Sequence, residues 1–233
     1  GRLPARTSAE LQALIAKVLE PLPANAYTGL FASERANPAE GIDYAARVTD
    51  WVTALGPAWQ AGMSRLSLDD YPANAAGTTA ARNQFISQIN QGRNWVAYYG
   101  HASPATWSRE ALLDADFLPG LLSNAGKSPV VTEFGCWGGY FVEPTYTTLN
   151  HAWLLNQGRG ARAMIASSSL TEALSDQAIA AALVPQFSIP GIRLGDALLN
   201  AQGTLHSTRS EMKDVIYGMS LFGDPTARLT PPN

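Results

Sequence analysis

A chain of 233 residues with 46% hydrophobic and only 15% charged residues can bury a full core in one large domain spanning 1–233, and no linker-like tract divides it. Its formal charge of -3 offers no basic face to nucleic acid and leaves protein, peptide or small-molecule partners. The single cysteine excludes an internal disulfide, and no apolar run approaches the roughly 18 residues of a membrane span. The chain opens on Gly1 rather than methionine and carries no signal-peptide pattern, which fits a processed fragment with further domains upstream.

In chain order, Thr7 with Glu10 three residues later forms a capping-box signature, and the stripe Leu11, Leu14, Ile15, Val18 and Leu19 predicts a helix stopped by Pro21. Tyr27–Ala32 reads as a strand, followed by a polar loop from Ser33 to Gly41 that carries Glu34 and Glu40, with Asp43 just beyond. Tyr44–Leu55 predicts a helix, Met63–Leu68 a strand, and Thr78–Asn90 a helix closed by Gly92.

Two apolar runs then end in the residues that look most like chemistry. Asn94–Tyr99 leads through Gly100 into His101, and Val130–Phe134 leads through Gly135 into Cys136. Short β-branched and aromatic runs that stop at glycine suit buried parallel strands. The segment Ser108–Leu122, with Leu112, Leu113, Phe117 and Leu121 roughly at helical spacing, is expected to supply the crossover helix between them. His101 and Cys136 would then face each other at the carboxyl edge of the sheet, where open α/β folds place ligands. Beyond them Thr145–Asn156 predicts a helix, Ala161–Ser167 a strand, and Thr171–Leu183, Leu194–Ala201 and Thr208–Leu221 helices. This alternation predicts an α/β fold, a three-layer α/β/α sandwich on a mostly parallel sheet.

Cysteine by residue type alone is most often a small buried hydrophobe. Here it follows a strand and precedes Trp137-Gly138-Gly139, a tight turn whose backbone N–H groups can face an oxyanion. His101 on its own reads equally well as a hydrogen-bonded loop residue. His151 and His206 have no partner motif and take capping, core or surface roles by default. No metal-ligand spacing and no glycine-rich phosphate loop occurs in the sequence, so no metal or cofactor is expected. Trp107 and Trp137 border the expected site and become candidate pocket walls.

The opening Gly1-Arg-Leu-Pro-Ala-Arg-Thr7 with its helix, the strand ending in Gly100-His101 with Ser103 and Trp107 after it, the strand ending at Cys136 with Gly138 beyond, and the closing Phe222-Gly-Asp-Pro225 together resemble the gingipain family of cysteine peptidases. That resemblance implies a caspase-like fold, an extracellular or cell-surface location, and a protein or peptide substrate cleaved through an acyl-enzyme. It implies a dyad of Cys136 as nucleophile and His101 as acid, an oxyanion site from the N–H groups of Cys136 and Ala102, and Glu34 as the residue orienting His101. Asp43, just before the Tyr44 helix, corresponds to the aspartate of gingipains that cut after arginine, and would favour a basic residue before the cleaved bond; its other reading is a helix N-cap. The chain departs from the family pattern at Ala102, where glycine is usual, and at Pro104, where some members carry a carboxylate.

Two alternatives stand beside this. A cysteine α/β hydrolase would also set Cys136 on a strand-turn, but Phe134 fills the position where its elbow needs glycine, and its base would have to be His151 or His206. A catalytically inactive caspase-like domain would serve as a binding or scaffold module of a larger surface protein.

Overall fold

The computed structural model describes residues 1–232. The expected sandwich is present: six strands lie in one sheet, with an apolar core on each face. The strands are β1 (Gly29–Ser33), β2 (Met63–Ser67), β3 (Trp95–Tyr99), β6 (Val130–Phe134), β7 (Ala163–Ser167) and β8 (Met219–Phe222), in the order β2-β1-β3-β6-β7-β8; β4 (Thr106–Trp107) and β5 (Leu113–Asp114) form a separate hairpin. All neighbours in the sheet are parallel except the antiparallel β7–β8 pair. Successive side chains alternate between the faces, so Phe31, Trp95, Tyr99 and Phe134 join one core and Leu30, Val96, Tyr98 and Val131 the other. Burial on both faces is why these strands read as near-continuous apolar runs.

The first core is covered by α2 (Tyr44–Ala54), α3 (Pro57–Gly62), α7 (Ala173–Leu183), α8 (Leu194–Thr208) and α9 (Lys213–Gly218). The second lies under α1 (Ser8–Val18), α4 (Ala75–Gly92), α5 (Leu118–Leu121) and α6 (Leu149–Leu154). The capping box forms as expected on α1: Thr7 Oγ1 accepts from the Glu10 N–H at 3.2 Å and Glu10 Oε2 accepts from the Thr7 N–H at 3.0 Å. Lys17, 1% exposed, is drawn inward from α1 to donate to the carbonyls of Leu154, Arg159 and Asn156 at 2.6, 2.9 and 3.2 Å.

The expectations for three segments need correction. Ser108–Leu122 is not a crossover helix. Ser108 and Ala111 have φ of 65° and 51°, a left-handed conformation incompatible with a helix, and the chain folds back as the β4–β5 hairpin before the single turn of α5. Burying Trp107 drives this: its ring stacks on Tyr98 at 4.7 Å, with Phe85 and Trp153 alongside. The helix expected over Thr145–Asn156 contracts to α6, which Thr148 caps. The helix expected over Thr208–Leu221 becomes the short α9 and then β8, because pairing Met219–Phe222 against β7 completes the sheet edge.

Chain order places β1 and β3 side by side while β2 lies outside them, so the connections diverge between β1 and β3 at the carboxyl edge. Crevices open at such switch points. Glu34 follows β1 directly, His101 lies two residues beyond β3, and Cys136 lies two beyond β6.

Candidate active site

Tyr99 of β3 pairs in register with Phe134 of β6, and the Gly100 N–H donates to the Phe134 carbonyl at 3.2 Å. His101 and Cys136 therefore leave neighbouring parallel strands at equivalent positions. The other two histidines lie elsewhere: His151 is buried in α6 with neither ring nitrogen partnered, and His206 is exposed near the end of α8.

The histidine side is a hydrogen-bonded network. Glu34, 3% exposed, accepts through Oε2 from both the His101 N–H and Nδ1 at 2.6 Å, and through Oε1 from the Arg109 N–H at 2.8 Å. Gly100 makes this approach feasible, because a side chain there would collide with Glu34 and come within 2.6 Å of the Tyr98 hydroxyl. Tyr98 Oη donates to the His101 carbonyl at 2.9 Å, and burial, with Glu34 and Glu133 nearby, pushes its phenol well up, so it remains a donor.

Arg109 Nη2 sits 3.0 Å from His101 Nε2 and also pairs with Glu40. A guanidinium only donates. His101 Nε2 is thus the acceptor and Nδ1 carries the proton donated to Glu34. Tyr44 Oη donates to Glu40 Oε2 at 3.1 Å and closes the network.

The cysteine side is drier. Trp137 adopts φ 64°, a conformation that strains a non-glycine residue by about 1–2 kcal/mol. The turn is held by two bonds to the end of β7 and the loop after it: the Gly139 N–H donates to the Ser167 carbonyl at 2.8 Å and the Trp137 N–H to the Ser169 carbonyl at 3.0 Å. Cys136, half-buried, donates its S–H to the Thr171 carbonyl at 3.2 Å. Thr171 Oγ1 donates in turn to Asp176 Oδ2 at 2.9 Å.

Glu133 lies under this turn, fully buried and with neither carboxylate oxygen hydrogen-bonded. Its carboxyl packs so closely on Gly138 that any side chain at 138 would run into it. Burial first, then Asp176 and Cys136, push the Glu133 carboxyl well above the usual carboxylate range. Burial likewise raises Asp176 to about 7, against the opposing Thr171 hydrogen bond. Both acids are therefore held toward their neutral forms beneath the cysteine.

Of the residues singled out from sequence, the structure joins Glu34 to His101. Ala102 and Cys136 lie beside the site with backbone N–H groups that donate to no protein acceptor among the described residues. Trp137 is half-buried on the turn, edge-on to Tyr140. Trp107 is corrected from pocket wall to core residue, since it is 0% exposed. Asp43 is exposed and caps α2, its Oδ1 accepting from the Ala46 N–H at 2.8 Å. The sequence reading passed over Tyr44, Arg109, Glu133, Thr171 and Asp176. A legible signal existed for Glu133 alone, the one ionisable residue inside a strand that reads as buried. No group of three or more His, Cys, Asp or Glu side chains that could hold a metal ion occurs among the described residues.

A sheet of this order, covered on both faces and opening at its carboxyl edge on a cysteine and a histidine, defines a domain of cysteine-peptidase type. The model of peptidase family C25 matches residues 1–230, and the chain belongs to that family, the gingipain family. Among solved structures, the Arg-specific cysteine proteinase gingipain R (RgpB) superimposes with a TM-score of 0.77 at 15% identity, covering 95% of this chain and 53% of that one. The complex of Porphyromonas gingivalis RgpB pro- and mature domains gives 0.74 at 15% identity, covering 95% and 54%. A structure described only as a protease gives 0.73 at 15% identity, covering 96% and 54%. The chain thus spans about half the length of the structures it matches. No curated protein sequence matches it.

Proposed function

We propose that this chain is a cysteine endopeptidase in which Cys136 attacks the peptide carbonyl and His101 protonates the departing amine. The observation that carries this is the registered β3–β6 pair, which brings both residues out at one sheet edge with Glu34 gripping the imidazole. Glu34 keeps the proton on Nδ1 and the lone pair on Nε2, the form needed to take the thiol proton. Attack forms the S–C bond and moves the carbonyl electrons onto oxygen, where the N–H groups of Cys136 and Ala102 are available to hold it. Collapse expels the amine with the proton from Nε2, and water then hydrolyses the thioester.

In the resting arrangement the thiol faces the Thr171 carbonyl and Arg109 covers Nε2. Substrate must turn the first and displace the second. The basic preference fits the acidic strand-end loop, where Glu40 lies 3.7 Å from His101 Nε2 and Asp43 begins the next helix; carboxylates there would recognise a guanidinium or ammonium group. Action outside the cell or at its surface rests on the family resemblance, and fractionation of the producing cells checks it.

The experiment is hydrolysis of peptides that differ only in Arg, Lys, Asn or Ala before the bond, by wild type, Cys136→Ala, His101→Ala and Asp43→Asn. Turnover is expected only where Cys136 and His101 are both present, with Arg and Lys preferred and the preference weakened by Asp43→Asn. Full activity in either of the first two variants would refute the dyad. The engaged thiol and covered Nε2 also favour a second reading, a non-catalytic binding module related to the peptidases. Absence of all turnover, with intact folding, would select it.

A further inference from the structure

The opposite edge of the sheet carries a second polar site that takes no part in the chemistry described above. A cavity of about 250 Å³ opens there, lined by Glu20, Arg93, Asn94, Lys127, Ser128 and Arg162 among others. Asn94, Ser128 and Arg162 all sit just before the amino ends of β3, β6 and β7, so the depth of the sheet separates this cavity from Cys136.

Its charges do not balance. Arg162 is 4% exposed; its Nη2 donates to Asn94 Oδ1 at 2.7 Å, and its Nε has no partner. Arg93 Nε is likewise buried without a partner, while Arg93 Nη2 donates to the Gln88 side chain at 2.8 Å. Lys127 reaches only the Gln91 carbonyl, at 3.4 Å. None of the three cations forms an ion pair among the described residues. The one carboxylate in the wall, Glu20, accepts from the Ser128 N–H at 2.9 Å and its hydroxyl at 3.1 Å and acts on Arg162 by charge alone, so three cations share a single anion. Buried charges are as a rule paired, and one carboxylate leaves two of these positive charges unmatched.

We propose that this cavity binds a small oxyanion, which supplies the negative charge that Glu20 alone cannot provide for Arg93, Lys127 and Arg162. Guanidinium groups that hold no carboxylate suit the planar or tetrahedral oxygens of a carboxylate or phosphate. The same chemistry is presented by free inorganic phosphate and by the terminal carboxylate of a peptide.

The test is thermal unfolding and calorimetric titration of the full chain with sodium phosphate at constant ionic strength, with an N-acetyl peptide and its C-terminal amide as the second arm. Saturable binding is expected, with a rise in Tm of about 3 °C at tenfold excess over Kd. The Arg93→Gln/Lys127→Gln double variant, which leaves the buried Arg162 in place, should lose most of that shift. Stabilisation by the acid peptide but not its amide would identify a carboxylate source, and stabilisation by phosphate alone a free anion. A shift that does not saturate, that chloride reproduces, or that the double variant retains in full would overturn the site. Cys136→Ala should bind as wild type does, so loss of peptidase activity and loss of this site are separately readable.

Discussion

The two halves of the candidate site are built on opposite electrostatic plans. Around His101 the groups are charged and tied to one another: buried Glu34 and the partly exposed Glu40 and Arg109 form ion pairs or charge-assisted hydrogen bonds, and Tyr44 joins them. Around Cys136 the acids are buried and held toward neutrality, with Glu133 unpartnered and Asp176 raised to about 7. The difference teaches what each half is for. A histidine that must move a proton needs its tautomer fixed, which a buried carboxylate on Nδ1 achieves. A thiol about to become an anion is opposed by ionised carboxylates, and burial holds those below it toward their neutral forms.

The largest effect that would break this comparison comes from Glu34→Gln. An amide cannot accept from all three of the N–H groups now on the carboxylate and stabilises a protonated ring poorly, so kcat/KM is expected to fall about 10²-fold or more while the fold persists. Activity within a factor of two of wild type would show that the carboxylate does not orient His101.

Asp176→Asn tests the other half through stability. In the folded chain Asp176 keeps its proton up to about 7, against an ordinary value of 3.8. Between those limits the folded state holds a proton that the unfolded chain has released. Stability should therefore drain as pH rises across that window and level off above it. Asparagine cannot ionise, so the variant should lose less Tm between pH 5 and pH 8 than wild type does. Parallel curves for the two proteins would mean that Asp176 is not held neutral.

The smallest effect concerns Arg109, which is 52% exposed in its side chain. Exposed ion pairs contribute about 0.2–1 kcal/mol, so uncovering Nε2 by Arg109→Gln should speed alkylation of Cys136 by no more than about five-fold. A slower rate would mean that Arg109 supports the imidazole instead of covering it.

How much of this was legible in the sequence follows from where the determinants lie. The strands were readable because burial on both faces leaves little but apolar residues, whereas the adjacency of β3 and β6 entered only as a condition that a crossover between them could meet. The nature of that crossover was hidden: Leu112, Leu113, Phe117 and Leu121 have helical spacing, but Trp107 wins a place in the core and turns the chain into a hairpin. Arg109 was lost with it, since its position depends on that hairpin. Glu34 was legible only through resemblance, because its contact with His101 crosses 67 residues. Met219–Leu221 looked helical because the four-residue strand β8 pairs through partners that the local sequence does not reveal.

The most direct measurement is mass-spectrometric labelling of the folded chain by a thiol-directed peptidyl inhibitor, comparing wild type with His101→Ala. The account requires stoichiometric modification at Cys136 in wild type and a rate at least about 10²-fold lower in His101→Ala, the scale expected when general-base assistance is removed. Equal rates in the two proteins, or a wild-type Cys136 that stays unlabelled, would contradict it.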